Sequence, residues 1–375
     1  MGKFGHKNEI NLNPLNYNIG LLGESGIGKS TIIKEVCEKL VGQDGYIALD
    51  IGKEDGHKAI SGIVTESIPD WQKFEEVTDD IIENKDSDYP DLKVVIIDTY
   101  DQLCELAEKE AIRLYNKTAK EKAKSINSAW GGFGRGLDKA IELMLDRLWE
   151  LKKVGVAFII IAHVKRTDMT DVMTEEKYAM LTSNTTQRYF NAIKQKLDFL
   201  GMAYIDREIV KEKTGKKDKD GNLIEKGKIT GESRVINFRD DTYSVDSKCR
   251  FAEIVDKIPL DSDEFIKAMQ DAILAEQKKD GISVTVAKKK QAAEAKEKAK
   301  EATAYSEKKK NFDAERNEEL IDQMTEAFKE MDSEERQPIK EKMKELGLKN
   351  FKGLADYPTA EVEEIAKLFN FEDAA

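Results

Sequence analysis

Cysteine is scarce. Only Cys37, Cys104 and Cys249 occur in 375 residues, an odd and scattered set without metal-type spacing. That excludes a disulfide framework and suits a reducing compartment. Long apolar runs are missing too. The longest, 154–162, is far short of the ~20 residues that a membrane helix needs. Residues 1–13 are polar and lack the apolar segment of a secretory leader. The expectation is a cytoplasmic chain without membrane contact. Positive charge is in deficit: 61 Lys and Arg face 73 Asp and Glu, for a net −12. At first sight this argues against nucleic acid as a partner. No repeat recurs at a fixed period.

What is present is enough for a core, with 40% hydrophobic residues. The pattern divides the chain into three zones: 1–270, 271–310 and 311–375. In the first, β-type runs at 17–22, 46–50, 94–98 and 156–162 alternate with helical patterns at 30–40, 103–115 and 137–152. Strand–helix alternation implies parallel strands with crossover helices, an α/β sheet. The runs 94–97 and 156–161 are apolar on both faces, as central parallel strands are. Shorter and more polar strands are expected at 199–210, 232–239 and 242–250. The first two flank 211–228, which reads as a charged hairpin tip around Asp220-Gly221-Asn222. Residues 288–310 hold nine Lys and four Glu and almost no large apolar residue, so they read as a charged helical linker. The last zone is a small helical unit with Leu320, Met324, Phe328 and Met331 at helical spacing, then Ile339, Met343 and Leu346. Gly347 is the expected C-cap of its second helix. Thr359 is the expected N-cap of a third, which turns Val362, Ile365 and Phe369 inward.

The most specific motif is Gly23-Glu24-Ser25-Gly26-Ile27-Gly28-Lys29-Ser30, followed by Thr31. It fits the P-loop pattern G-x-x-x-x-G-K-[ST] between a β-type run and an amphipathic helix. The glycines let successive backbone N–H groups turn toward phosphate oxygens. The helix start adds its positive end. Lys29 reaches the β- and γ-phosphates of ATP, and the Ser30 hydroxyl ligates Mg²⁺. Asp98, closing the run Val94-Val95-Ile96-Ile97, is the matching Walker B carboxylate for Mg²⁺; the bland reading is a helix-capping aspartate. A carboxylate must orient the attacking water. Glu54 and Asp50, after the second strand, are the candidates. His163 ends the next strand as a sensor of the γ-phosphate, or merely bonds local backbone.

Together these residues resemble the RecA-like branch of P-loop ATPases, and within it the phage-encoded AAA-family nucleotide-binding proteins, which include phage RecA-like single-strand annealing recombinases. The segment Trp130-Gly131-Gly132-Phe133-Gly134, the stretch from Ile160 to Arg166 and Ser247-Lys248-Cys249-Arg250 add to the likeness, which covers about 15–255. The resemblance implies a RecA-like core with a mainly parallel sheet flanked by helices. It also implies head-to-tail assembly in which Lys248 and Arg250, on one face of a late strand, reach a neighbour's γ-phosphate. The sequence departs from the family in placing Asp50, not a glutamate, directly after the second strand.

In that branch the loops after the sensor strand hold single-stranded DNA. Here 165–191 carries Lys165, Arg166, Lys177 and Arg188 with Tyr178, Tyr189 and Phe190 interleaved, diluted by four acids. Cations with rings are a single-strand recipe. The tip 211–228, with seven Lys against four acids, and the helix 288–310 are further candidate phosphate grips. The net charge is thus an average over unlike zones. The tail 311–375, with nine basic and 18 acidic residues, suits docking a replication or recombination protein. The expected activity is ATP hydrolysis acting on single-stranded DNA. The alternative is a nucleotide-gated adaptor or loader that works through the acidic tail with little DNA affinity. A small-molecule kinase is disfavoured, since no Arg-rich lid follows the core.

Overall fold

The computed structural model describes residues 10–369 except 54–55, 172, 218–222, 240–245, 280–283, 333–334, 347, 349 and 356. Glu54, the centre of the 211–228 tip, the start of the 242–250 run and Gly347 therefore lie outside the described residues.

The P-loop strand β1 (Ile19–Gly23) leads into α1 (Lys29–Val41). Then follow β2 (Tyr46–Ile51), β3 (Thr65–Ile68), α2 (Trp71–Glu83), β4 (Val94–Asp98), α3 (Tyr100–Thr118) and α4 (Arg135–Lys153). Strand β5 (Ala157–Thr170) folds back as β6 (Lys177–Ser183), and α5 (Gln187–Lys194) follows. The long strands β7 (Phe199–Lys217) and β8 (Leu223–Asn237) pair as an antiparallel hairpin. Short strands β9 (Lys248–Cys249) and β10 (Lys257–Pro259) and helices α6 (Ser262–Lys279) and α7 (Val284–Lys310) come next.

Among the described residues the sheet has ten strands. Its main path runs β10-β8-β7-β1-β5-β4-β2-β3, with β6 paired to β5 and β9 to β7. The block β7-β1-β5-β4-β2-β3 is parallel throughout. All five residues of β1 and of β4 are buried, as expected where helices cover both faces. Alternate residues Leu21, Ile96 and Ile161 share one core with Ile33 and Val36 of α1 and Phe265 and Met269 of α6. On the opposite face Trp149 of α4 stands 5.5 Å from the Phe158 ring. Thus β5 lies between the P-loop strand and the strand that ends in Asp98.

By its contacts the chain falls into two units. One comprises Met1–Thr78 and Asp91–Lys298, the other Asp79–Pro90 and Ala299–Ala375. In the second, α8 (Ala314–Glu330), α9 (Arg336–Glu345) and α10 (Thr359–Ala366) enclose Leu320, Met324, Ile339, Met343, Val362, Ile365 and Phe369. Phe328, Met331 and Leu346 pack around them, so the expected apolar set forms this core. Two expectations are corrected. Thr359 does not cap its own helix; its hydroxyl accepts the Asp313 N–H at 2.6 Å. Nor is α7 merely solvated. Gln291 donates to Ile10 O at 2.8 Å, and the buried Ser306 hydroxyl lies 2.6 Å from Ile82 O.

Candidate nucleotide-binding site

Strand β1 delivers Gly23 to the edge of the site. A Cβ there would lie 2.6 Å from Ala203 O on β7, so only glycine fits. Gly26 and Gly28 take φ of +73° and +111°, which turns the loop into α1. Ile27 is buried in the core and pins the loop from below. Glu24 is half-buried, while Ser25, Gly26 and Thr31 are exposed at the loop and the first turn of the helix. The N–H groups that open α1 have no carbonyl one turn back, the arrangement that receives an anion.

Lys29 is only 6% exposed. Its ammonium donates to Gly23 O at 3.1 Å and Glu24 O at 2.9 Å. The Ser30 hydroxyl donates to Asp98 Oδ2 at 2.5 Å. These residues, 68 positions apart in sequence, meet because β4 ends level with the first turn of α1. Hydroxyl and carboxylate oxygens are the hard donors that Mg²⁺ prefers, so the pair fits that ion.

Asp50 is the register partner of Asp98 on the adjacent strand β2 and is itself buried. His163 is the register partner of Gly23. Its N–H donates to Asp101 Oδ2 at 2.8 Å, and its ring Nδ1 lies 3.5 Å from that oxygen. The structure thus gathers Lys29, Ser30, Asp50 and Asp98 at the carboxyl ends of β1, β2 and β4, beside His163, which does not end its strand as expected but lies midway along β5.

Three residues here escaped the sequence reading. His57, in the short turn Gly56–Ala59, is buried with Nε2 2.9 Å from Asp98 Oδ2. Asp101 holds His163. The Thr99 hydroxyl is buried with no hydrogen-bond partner among the described residues. A histidine in the acidic turn after the second strand was the one available signal.

A family model described as an AAA domain matches residues 15–251. The chain belongs to this family of P-loop ATPases. No curated protein matches it significantly. The AAA domain spans every residue gathered above.

Other expected site residues stand elsewhere. Lys248 and Arg250 flank the start of β7, at the opposite end of the strands from Gly23. Lys248 donates to Lys194 O at 2.8 Å, and Arg250 donates to Gln195 O at 2.6 Å. Arg250 also pairs with Asp198 at 3.2 Å. Within one chain they cap the carbonyl end of α5, where cations are favoured. Burial, with Arg250 beside it, holds Lys248 below the usual lysine value.

The stretch 165–191 is not a loop. Lys165 and Arg166 are exposed on the outer half of β5, Lys177 starts β6, and Arg188 lies on α5. Lys165 reaches Asn184 O at 3.3 Å, and Arg166 stands 4.0 Å from Asp168. Arg188 forks onto Asp138 at 2.6 and 2.7 Å. Tyr189 and Phe190 are 2% and 3% exposed, so they are core and not stacking platforms. Their helix turns them inward, and Tyr189 donates to Glu108 at 2.8 Å. Tyr178 is half-buried opposite Met169. Among the described residues, the ring of Phe133 is almost fully exposed, at 99%.

Proposed function

We propose that the chain is a Mg²⁺-dependent ATPase of the RecA-like, phage type that acts on single-stranded DNA in recombination, annealing or replication. One observation carries this reading. The strand that sets His163 beside Gly23 continues unbroken into the hairpin that bears Lys165 and Arg166. A change at His163, midway along β5, would be passed to the exposed cations through the strand itself.

With ATP on the loop, Lys29 leaves the carbonyls of Gly23 and Glu24 for the β- and γ-phosphates. Ser30 and Asp98 would hold Mg²⁺, which supplies positive charge to the phosphate oxygens. Of the two carboxylates expected to orient water, Glu54 first and Asp50 second, Glu54 lies outside the described residues, and Asp50, beside Asp98, takes the role in this reading. His163, held by Asp101, senses the γ-phosphate. Assembly is head-to-tail. In it Lys248 and Arg250 reach a neighbour's site only by leaving the carbonyl end of α5.

The test is ATPase activity with and without single-stranded DNA, alongside oligomer size. The expected result is stimulation, with salt-sensitive DNA binding in a non-hydrolysable ATP analogue. Absence of both sinks the DNA reading. A Lys29→Ala chain that binds ATP normally sinks the site itself.

A second reading keeps the ATPase and drops the DNA: a nucleotide-gated adaptor or loader. It is favoured by the burial of Tyr189 and Phe190 and by the ion pair on Arg188, together with the acidic tail. Stimulation by a replication or recombination protein, lost on removal of 311–375, would distinguish it.

A further inference from the structure

We propose that His57 is a positioning residue for the Walker B carboxylate: it holds Asp98 in the orientation that a Mg²⁺–nucleotide requires. The inference rests on the ATPase reading above.

His57 is 5% exposed, and both ring nitrogens are engaged. Nδ1 lies 2.7 Å from Thr65 Oγ1, and Nε2 lies 2.9 Å from Asp98 Oδ2. A carboxylate oxygen only accepts, so Nε2 carries the hydrogen that faces Asp98. Thr65 is anchored in turn, with its hydroxyl 3.0 Å from Ala48 O. The ring is therefore fixed from β3, reaches past β2 and meets the end of β4.

The same oxygen of Asp98 receives Ser30. Two donors from different elements, one on α1 and one in the turn after β2, leave that carboxylate little freedom to rotate. There is a reason to hold it. Asp50 stands beside Asp98 in register, and like charges so placed repel. A donor aimed at Asp98 offsets that repulsion. His57 itself does not need to touch metal or nucleotide. Partners of this kind, which orient a ligating group without ligating, typically contribute 10–100-fold in metal affinity.

The experiment measures binding of a fluorescent ATP analogue across a Mg²⁺ titration. His57→Ala removes the donor, and His57→Gln keeps an N–H near the Nε2 position. In wild type, Mg²⁺ strengthens nucleotide binding. His57→Ala is expected to raise the Mg²⁺ needed for half the effect by about 10–100-fold, with metal-free nucleotide binding unchanged. His57→Gln is expected to recover most of the loss. In steady-state ATPase at limiting Mg²⁺, kcat falls, and added Mg²⁺ restores it.

Thr65→Val, which frees the far side of the ring, shifts the Mg²⁺ requirement in the same direction by less. It carries the test if His57→Ala does not fold. A folded His57→Ala chain with the wild-type Mg²⁺ requirement overturns the proposal. So does a Gln variant as impaired as the Ala variant. If wild-type nucleotide binding does not respond to Mg²⁺ at all, the ATPase reading fails, and this one with it.

Discussion

Asp50 and Asp98 are register partners at the carboxyl ends of adjacent parallel strands, 9% and 6% exposed. The two carboxylates are not equivalent. Asp98 accepts from Ser30 and faces His57, and it is the carboxylate proposed for the metal. Asp50 is one strand further from the P-loop. Asp98→Asn should weaken nucleotide binding only when Mg²⁺ is present. Asp50→Asn should leave binding intact and lower kcat by about 10²–10⁴-fold, the range for loss of a positioned base. Equilibrium binding and steady-state ATPase separate the two. Wild-type kcat in Asp50→Asn hands the role to Glu54.

Gly23 offers a test of the cradle independent of activity. The Cβ of Gly23→Ala would meet Ala203 O at 2.6 Å and Ala203 Cβ at 2.9 Å, both on a paired strand with no room to yield. A loss of about 1–3 kcal/mol is expected, as for other overpacked sites. It should appear as a lower urea midpoint at constant slope. Gly26→Ala meets nothing within 4 Å, but its φ of +73° is costly for any L side chain. That cost is about 1–2 kcal/mol. Equal midpoints for Gly23→Ala and wild type would show that the two strands separate more easily than their register implies.

Lys248 and Arg250 can be tested for their place at the end of α5. Arg250→Ala, which removes a donor to Gln195 O, should speed hydrogen exchange in 187–195 and cost about 1 kcal/mol. ATPase by the isolated chain should be unchanged. A loss of ATPase confined to mixed assemblies, where only one partner carries the substitution, would instead reveal the trans-acting role.

The outer half of β5 makes a quantitative claim about salt. If Lys165 and Arg166 each neutralise one phosphate of single-stranded DNA, their joint replacement by alanine reduces the slope of log affinity against log salt by about 1.4, since each contact contributes roughly 0.7. Stability should hardly move, because both side chains are exposed. An unchanged slope removes the hairpin from the DNA surface.

Much of the site was legible because it is local. The P-loop is eight consecutive residues. Strand β4 is five consecutive apolar-to-acid residues whose observed limits, Val94–Asp98, are those expected. The charged hairpin is also there, built from β7 and β8. Strand β3 was not legible: Thr65-Glu66-Ser67-Ile68 buries only Ile68, so nothing alternates clearly. Residues 165–191 misled for a different reason. The family resemblance placed a DNA-holding loop there, yet β5 and β6 pair as a hairpin and α5 buries Tyr189 and Phe190. His57 was hidden by distance in sequence. Its partners lie eight and 41 residues away and meet only when β3 and β4 flank β2.

The fourteen residues of β5 have one mechanical consequence. Its inner half is laddered to β1 and β4, and its outer half to β6. Such a strand cannot shorten or coil locally without breaking those ladders. It can only tilt as a rod. From His163 to Thr170 the rod extends about 23 Å, at roughly 3.3 Å per residue. The tip of the hairpin therefore sweeps further than its root. If His163 senses the γ-phosphate as proposed, a sub-ångström adjustment there would reach the outside as a larger swing, like a lever whose fulcrum lies in the sheet.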